Sequence, residues 1–261
     1  MIRSDKIKMI SRKKKVPPTT VERDYIQNYF LKSLFSKTDS LIFKGGTSIR
    51  KAFIEDYRFS DDLDFTMKTR MYQEDIRVMI EDIKDYLKRE EAISFEDEVQ
   101  LKEVKTGWKV NLRYTSILSQ NTLINLILDV TDVDKEVIVT GVEKRALINP
   151  YSDGLKADLI TYSLKEITLE KLRALCDRGW PRDLYDVYNL WPIVEKDDFK
   201  VLFSKKCKIK NVNPSIEKYR QNKEKIKSAW NKSLKHQLKT LPDFDKCFKK
   251  VINILTNLRI G

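Results

Sequence analysis

The 261-residue sequence predicts an α+β fold: a mixed-sheet domain over residues 19–155 followed by a helical domain over residues 156–261. Three observations predict it. Short apolar runs bounded by turn residues recur between 41 and 140, the pattern of strands, around two helical stretches. From about 155 onward helical periodicity takes over. The charge changes as well: residues 196–261 hold 18 Lys+Arg against 6 Asp+Glu, whereas residues 17–195 carry a net −6.

Residues 1–18 read as a basic tail, net +6 over 1–16, closed by Pro17-Pro18. Thr19 followed by Glu22 has capping-box spacing and predicts a helix to about Phe35. The apolar run 41–43 predicts a strand entering a tight turn at Gly45-Gly46, with a short helix over 47–54. Asp62–Met67 alternates acidic and apolar residues, a strand signature. Ile76, Met79, Ile80, Ile83 and Leu87 place a helix over 72–90. Residues 99–101 and 108–113 flank Thr106-Gly107 as an antiparallel hairpin. Residues 123–130 predict an apolar strand, and 137–140 a further short one. Leu164–Arg178 predicts a helix, with Gly179 just past its end and Pro181 in the first turn of the next, which runs to about Trp191. Further helices are expected near 196–206, 214–238 and 243–258.

Composition removes several classes. No run of about 18 apolar residues exists, so no transmembrane helix and no membrane partner are expected. The basic start lacks an apolar stretch and does not read as a secretory signal. Cys176, Cys207 and Cys247 are few, odd in number and widely spaced. That points to a reducing compartment, the cytoplasm, and away from a zinc cluster or disulfide framework. His236 is the sole histidine and sits in a Lys-rich stretch, where it reads as solvated surface. Chemistry must then rest on carboxylates and lysines. Basic ends around a mildly acidic body fit a carboxylate site flanked by surfaces that attract polyanions.

Side chains two apart on a strand share a face, so Asp62 and Asp64 point together. Neighbouring carboxylates repel unless a cation sits between them, and oxygen-only ligands suit magnesium. Asp129, an acid embedded in an apolar strand, is the expected third ligand, with Asp132 as the alternate. Gly45 and Gly46 let backbone approach a phosphate, and Thr47 and Ser48 add hydroxyl donors. Lys171 can neutralise triphosphate charge. Asp183 and Asp186 share a helix face beside Arg182. Arg178 and Asp183 also complement helix dipoles, so that patch reads equally well as architecture. Tyr219, Trp230 and Phe248, interleaved with the lysines of 200–250, either stack exposed bases or form helix cores.

Together these segments resemble the AbiEii/AbiGii-type nucleotidyltransferase toxins of bacterial and archaeal type IV toxin–antitoxin systems. That family carries Gly-Gly-Thr-x-Leu, which here reads Gly45-Gly46-Thr47-Ser48-Ile49, with Ile replacing Leu. Its Arg-x-Ser-x-Asp-Leu-Asp-Phe is complete at 58–65, its Glu-Lys-Leu-x-Ala at 170–174 and its Arg-Asp-x-x-Asp at 182–186. The match runs in order over about 40–192, and the last 65 residues carry no such motif. The resemblance implies a polymerase-beta-like fold with Asp62 and Asp64 as metal ligands. It implies that Ser60, Lys171 and Asp183 or Asp186 belong to the site. Some members transfer nucleotides from an NTP to the 3′ acceptor end of tRNA, blocking aminoacylation, and their antitoxins are separate proteins.

The expected activity is transfer of NMP from an NTP to RNA, with pyrophosphate released and magnesium, or manganese in its place, as cofactor. Asp62, Asp64, Asp129, Lys171 and Asp183 form the expected catalytic set. Gly45, Gly46, Thr47, Ser48, Ser60, Arg182 and Asp186 are the expected substrate contacts. The alternatives are a small-molecule or protein hydroxyl as acceptor, or an inactive RNA- or protein-binding module. The intact Asp-x-Asp argues against the last.

Overall fold

In the computed structural model, which describes residues 2–258, the chain divides into two compact units. The first takes residues up to 136 together with 142–162; the second takes 137–141 and the chain from 163 onward. The division falls after 162 rather than near 155, because residues 158–162 form a strand of the first unit's sheet.

That sheet contains β1 (Leu41–Lys44), β2 (Asp62–Met67), β3 (Gln100–Val104), β4 (Gly107–Thr115), β5 (Leu123–Thr131), β6 (Val142–Ala146) and β7 (Asp158–Tyr162). Their order is β3-β4-β5-β2-β1-β7-β6. The central β2 runs parallel to β5 and antiparallel to β1. A strand paired on both edges, with one apolar face, has its register firmly set, since a slip of one residue would turn every side chain over. Leu63 and Phe65 are fully buried, and Asp62 and Asp64 are half-buried on the opposite face.

The unit's helices are α1 (Ser4–Lys14), α2 (Pro18–Lys37), the one-turn α3 (Gly45–Ser48) and α4 (Gln73–Glu91). Helix α2 covers the apolar face of the sheet. Its Phe35 ring lies 6.5 Å from that of Phe65, which in turn lies 5.4 Å from Phe43 on β1. Helix α4 packs on α2 and buries Ile76, Ile80, Ile83 and Leu87 at helical spacing.

Several local expectations give way to packing. Residues 4–14 form α1 instead of a tail, docked on α2 with Ile7 buried; Ile2 and Val16 join the same core. The Thr19 cap does not form. Helix α2 opens at Pro18, whose missing N–H costs nothing in a first turn. Glu22 is buried and accepts bonds from Ser116 Oγ at 2.9 Å and the Ile117 N–H. Residues 137–140 are not a strand: the Val139 and Thr140 N–H groups donate to the Glu166 carboxylate at 3.0 and 2.7 Å. The strand lies further on, at β6, a mostly exposed sheet edge that lacks an apolar alternation.

The second unit holds α5 (Leu164–Arg178), α6 (Pro181–Leu190), α7 (Phe199–Ile209), α8 (Ile216–Gln221), α9 (Lys223–Leu234) and α10 (Phe244–Asn257). Gly179 takes the left-handed conformation that ends α5, φ 64°. The expected helix over 214–238 is broken at Asn222 into α8 and α9. Lys206, from the basic stretch, is fully buried between Glu166 at 2.8 Å and Glu170 at 2.6 Å. Tyr219, Trp230 and Phe248 are buried as well, with Tyr219 stacked on Phe248 at 4.7 Å. These three rings are helix core, which removes them as base-stacking surfaces.

Candidate active site

Strand β1 ends at Lys44, which is paired with Asp64 across the sheet. The next residue, Gly45, has φ 78° and curls over Asp64 so closely that an added Cβ would overlap the carboxylate. A Cβ on Gly46 would collide with the Arg58 guanidinium and approach Ser60 Oγ to 3.3 Å. Each glycine therefore answers to a residue of the 58–65 segment: Gly45 to Asp64, Gly46 to Arg58 and Ser60. Sterics explain why the two segments occur together. Thr47 Oγ1 donates to the Asp62 carbonyl, and Ser48 Oγ donates to the Gly45 carbonyl at 2.9 Å. Both hydroxyls are fully buried. Thr47 ties the glycine turn to β2, and Ser48 closes the turn on itself.

The register sets Asp129 directly beside Asp64 on the neighbouring parallel strand, so Asp62, Asp64 and Asp129 share one face of the sheet. Asp129 Oδ1 lies 3.7 Å from Lys109 Nζ on β4, a partly exposed pair. The alternate, Asp132, lies past the strand and caps the short 3₁₀ turn Val133–Lys135, accepting from the Asp134 N–H. Lys44, which has no role in the sequence reading, reaches Thr131 Oγ1 at 2.9 Å and Glu136 at 3.3 Å. Its position just before the two glycines, opposite Asp64, was the available signal.

A buried ionic network anchors the turn. The π-helical turn Ile49–Phe53 continues α3 and carries Arg50 and Lys51. Asp24 on α2 receives Arg50 Nε at 2.8 Å, Lys51 Nζ at 2.7 Å and the Tyr151 hydroxyl at 2.7 Å. Burial alone would raise the Asp24 pKa, but the Arg50 and Lys51 charges hold it well below the usual carboxylate range. Burial pushes the Lys51 ammonium down to about 8 despite Asp24 beside it. Lone basic residues in a short helix gave no hint of this buried acid partner.

In the second unit, Lys171 on α5 lies 3.4 Å from Asp183 and 2.8 Å from Asp186, both on α6 and both buried. Arg178 grips Asp183 through Nε at 2.9 Å and a second nitrogen at 3.2 Å. Here Lys171 is the counter-ion of two aspartates. Arg182 is half-buried one residue before Asp183, on α6.

Residues 29–250 match the family of the nucleotidyl transferase AbiEii toxin of type IV toxin–antitoxin systems. The chain belongs to the AbiEii family. It is accordingly a nucleotidyltransferase toxin, and a type IV system implies a separate antitoxin. The fold is similar to that of MenT4, a nucleotidyltransferase toxin from Mycobacterium tuberculosis H37Rv: TM-score 0.59 and 20% identity over 78% of this chain and 69% of that one. It is also similar to an H. pylori protein described as a nucleotidyltransferase: TM-score 0.61 and 15% identity over 93% and 96%. The fold is of the polymerase-beta-like type. No curated protein sequence matches the chain. Among the described residues no helix is long and apolar enough to cross a membrane.

Nucleotidyltransferases generally use divalent metals. Among the described residues of this AbiEii enzyme, no three Asp, Glu, His or Cys side chains stand gathered as a ready cage. The donor chemistry fits a hard cation all the same. Asp62 and Asp64 are half-exposed, same-face oxygen ligands, and Asp129 stands beside them in register. Gly45 makes room for the Asp64 carboxylate itself, which a side chain there would displace. Asp62, Asp64 and Asp129 would hold the ion, the last by exchanging its long contact with Lys109.

Proposed function

We propose that this AbiEii-family enzyme transfers NMP from a magnesium-bound NTP to a hydroxyl of RNA, with a tRNA 3′ end as acceptor. The observation that supports it is the carboxylate face: Asp62, Asp64 and Asp129 on adjoining strands, with the Gly45 backbone laid against Asp64. The ion supplies positive charge that neutralises the phosphates and polarises the attacking hydroxyl. The acceptor oxygen forms a bond to the α-phosphorus as the bond to the bridging oxygen breaks. Pyrophosphate leaves with that electron pair, and the hydroxyl proton passes to Asp129. Gly45 and Gly46 let backbone approach the triphosphate; Thr47, Ser48 and the Asp24–Arg50–Lys51 network keep that turn rigid. Lys171, Arg182, Asp183 and Asp186 of the second unit are assigned roles in the reaction on the strength of the family motifs alone. With two carboxylates around it, Lys171 is a positioned charge. The 18 basic residues of 196–261, against 6 acidic, favour a polyanionic acceptor over a small molecule.

The test is incubation with magnesium, total tRNA and each α-labelled NTP in turn. Labelled RNA is expected with at least one NTP, lost in EDTA and restored by magnesium or manganese. Absence of label on any RNA with any NTP contradicts the proposal.

A further inference from the structure

The helical unit carries a cleft of about 350 Å³, of whose lining the proposed transfer uses Arg182 alone. One wall is the turn between α5 and α6, the other is α9. Gly179, in its left-handed conformation, swings the chain so that Trp180 projects outward and remains 49% exposed. An indole left in water at a rigid turn is an unusual placement for so large an apolar surface. The Arg178 guanidinium lies 3.9 Å from the indole ring centre and is itself fixed by its two bonds to Asp183. The ring is therefore held in place before any ligand arrives. Across the cleft, Ile226 and Ala229 supply an apolar floor, and Lys225 and Arg182 stand at the rim. Among the described residues no acidic one lines it.

A flat, preorganised aromatic surface, an apolar floor and three cations fit one ligand chemistry: an unpaired nucleobase flanked by phosphates. We infer that this cleft binds single-stranded RNA, stacking one base on Trp180 while Lys225 and Arg182 meet the flanking phosphates. The inference rests on the reading of RNA as the acceptor and gives that acceptor a docking point. Duplex RNA keeps its bases stacked within the helix and cannot offer one to the indole.

The experiment separates binding from chemistry. Fluorescence anisotropy of a labelled single-stranded RNA of about 12 nucleotides is followed with the full chain in EDTA, without NTP. Trp180→Ala should weaken binding about tenfold, the range of one lost base stack, and Trp180→Phe should recover most of it. Lys225→Gln should weaken binding a few-fold and make the salt slope shallower by about 0.7. Trp180 is exposed, so thermal melts of these variants should coincide with the wild type. Wild-type affinity in both Trp180→Ala and Lys225→Gln would overturn the inference, as would equal affinity for a duplex of the same length. If Trp180→Ala loses binding while no RNA is ever labelled in the transfer assay, the cleft stands and the reading of RNA as acceptor falls. If RNA is labelled while Trp180→Ala binds normally, the reverse holds.

Discussion

Asp62 with Asp64 on β2, and Asp183 with Asp186 on α6, are both aspartate pairs sharing one face, yet their surroundings are opposite. The α6 pair is buried and neutralised: Lys171 touches both members and Arg178 grips Asp183 twice. The β2 pair is half-exposed and faces a third carboxylate, Asp129, whose ion-pair partner Lys109 stands at 3.7 Å. Burying an uncompensated carboxylate costs several kcal/mol, so a fold that hides acids must bring cations to them. Acids left half in water carry their charge at lower cost and stay within reach of a ligand. Burial, more than spacing, separates a pair that holds the fold from a pair that an ion can reach.

Removing a carboxylate should therefore have opposite consequences at the two places. Asp183→Ala removes both Arg178 bonds and the more distant of the two carboxylates on Lys171, and should lower unfolding free energy by about 2–3 kcal/mol. Denaturant unfolding measures this. A loss of under about 0.5 kcal/mol, the range of an ordinary surface substitution, would erase the contrast.

A smaller effect should come from the glycine turn. Gly45→Ala places a methyl group against the Asp64 carboxylate at φ 78°. The left-handed backbone costs an alanine about 1–2 kcal/mol, which a melt would register. The larger consequence is displacement of Asp64, so transfer should fall more than stability does. Full activity in Gly45→Ala would show that the turn and the carboxylate are not coupled.

Much of this contrast could be read before any coordinates. The alternation of Asp62–Met67 gave the central strand and the shared face of its acids, because a half-buried strand must alternate. Gly179 and Pro181 marked the end of α5 and the start of α6 because backbone geometry demands those residues there. Other features depended on partners distant in sequence. Glu22 had the spacing of a cap, yet its carboxylate is taken by Ser116 and Ile117. Lys206 looked like solvated charge in a basic stretch, but Glu166 and Glu170 bury it. Residues 4–14 looked like a tail because seven basic residues in 1–16 mask the few apolar ones that dock α1. No local pattern reveals that two aspartates from the next helix close on Lys171. Local periodicity writes strands and helices, but charge pairing over long separations is invisible until the chain folds.

The most direct measurement compares the wild type with Asp62→Asn and Asp64→Asn, scoring transfer of labelled NMP to RNA together with thermal unfolding. The carboxylate-face account predicts that each substitution cuts transfer by on the order of a hundredfold or more while the melting temperature changes little. Transfer at wild-type rates in either variant would contradict it.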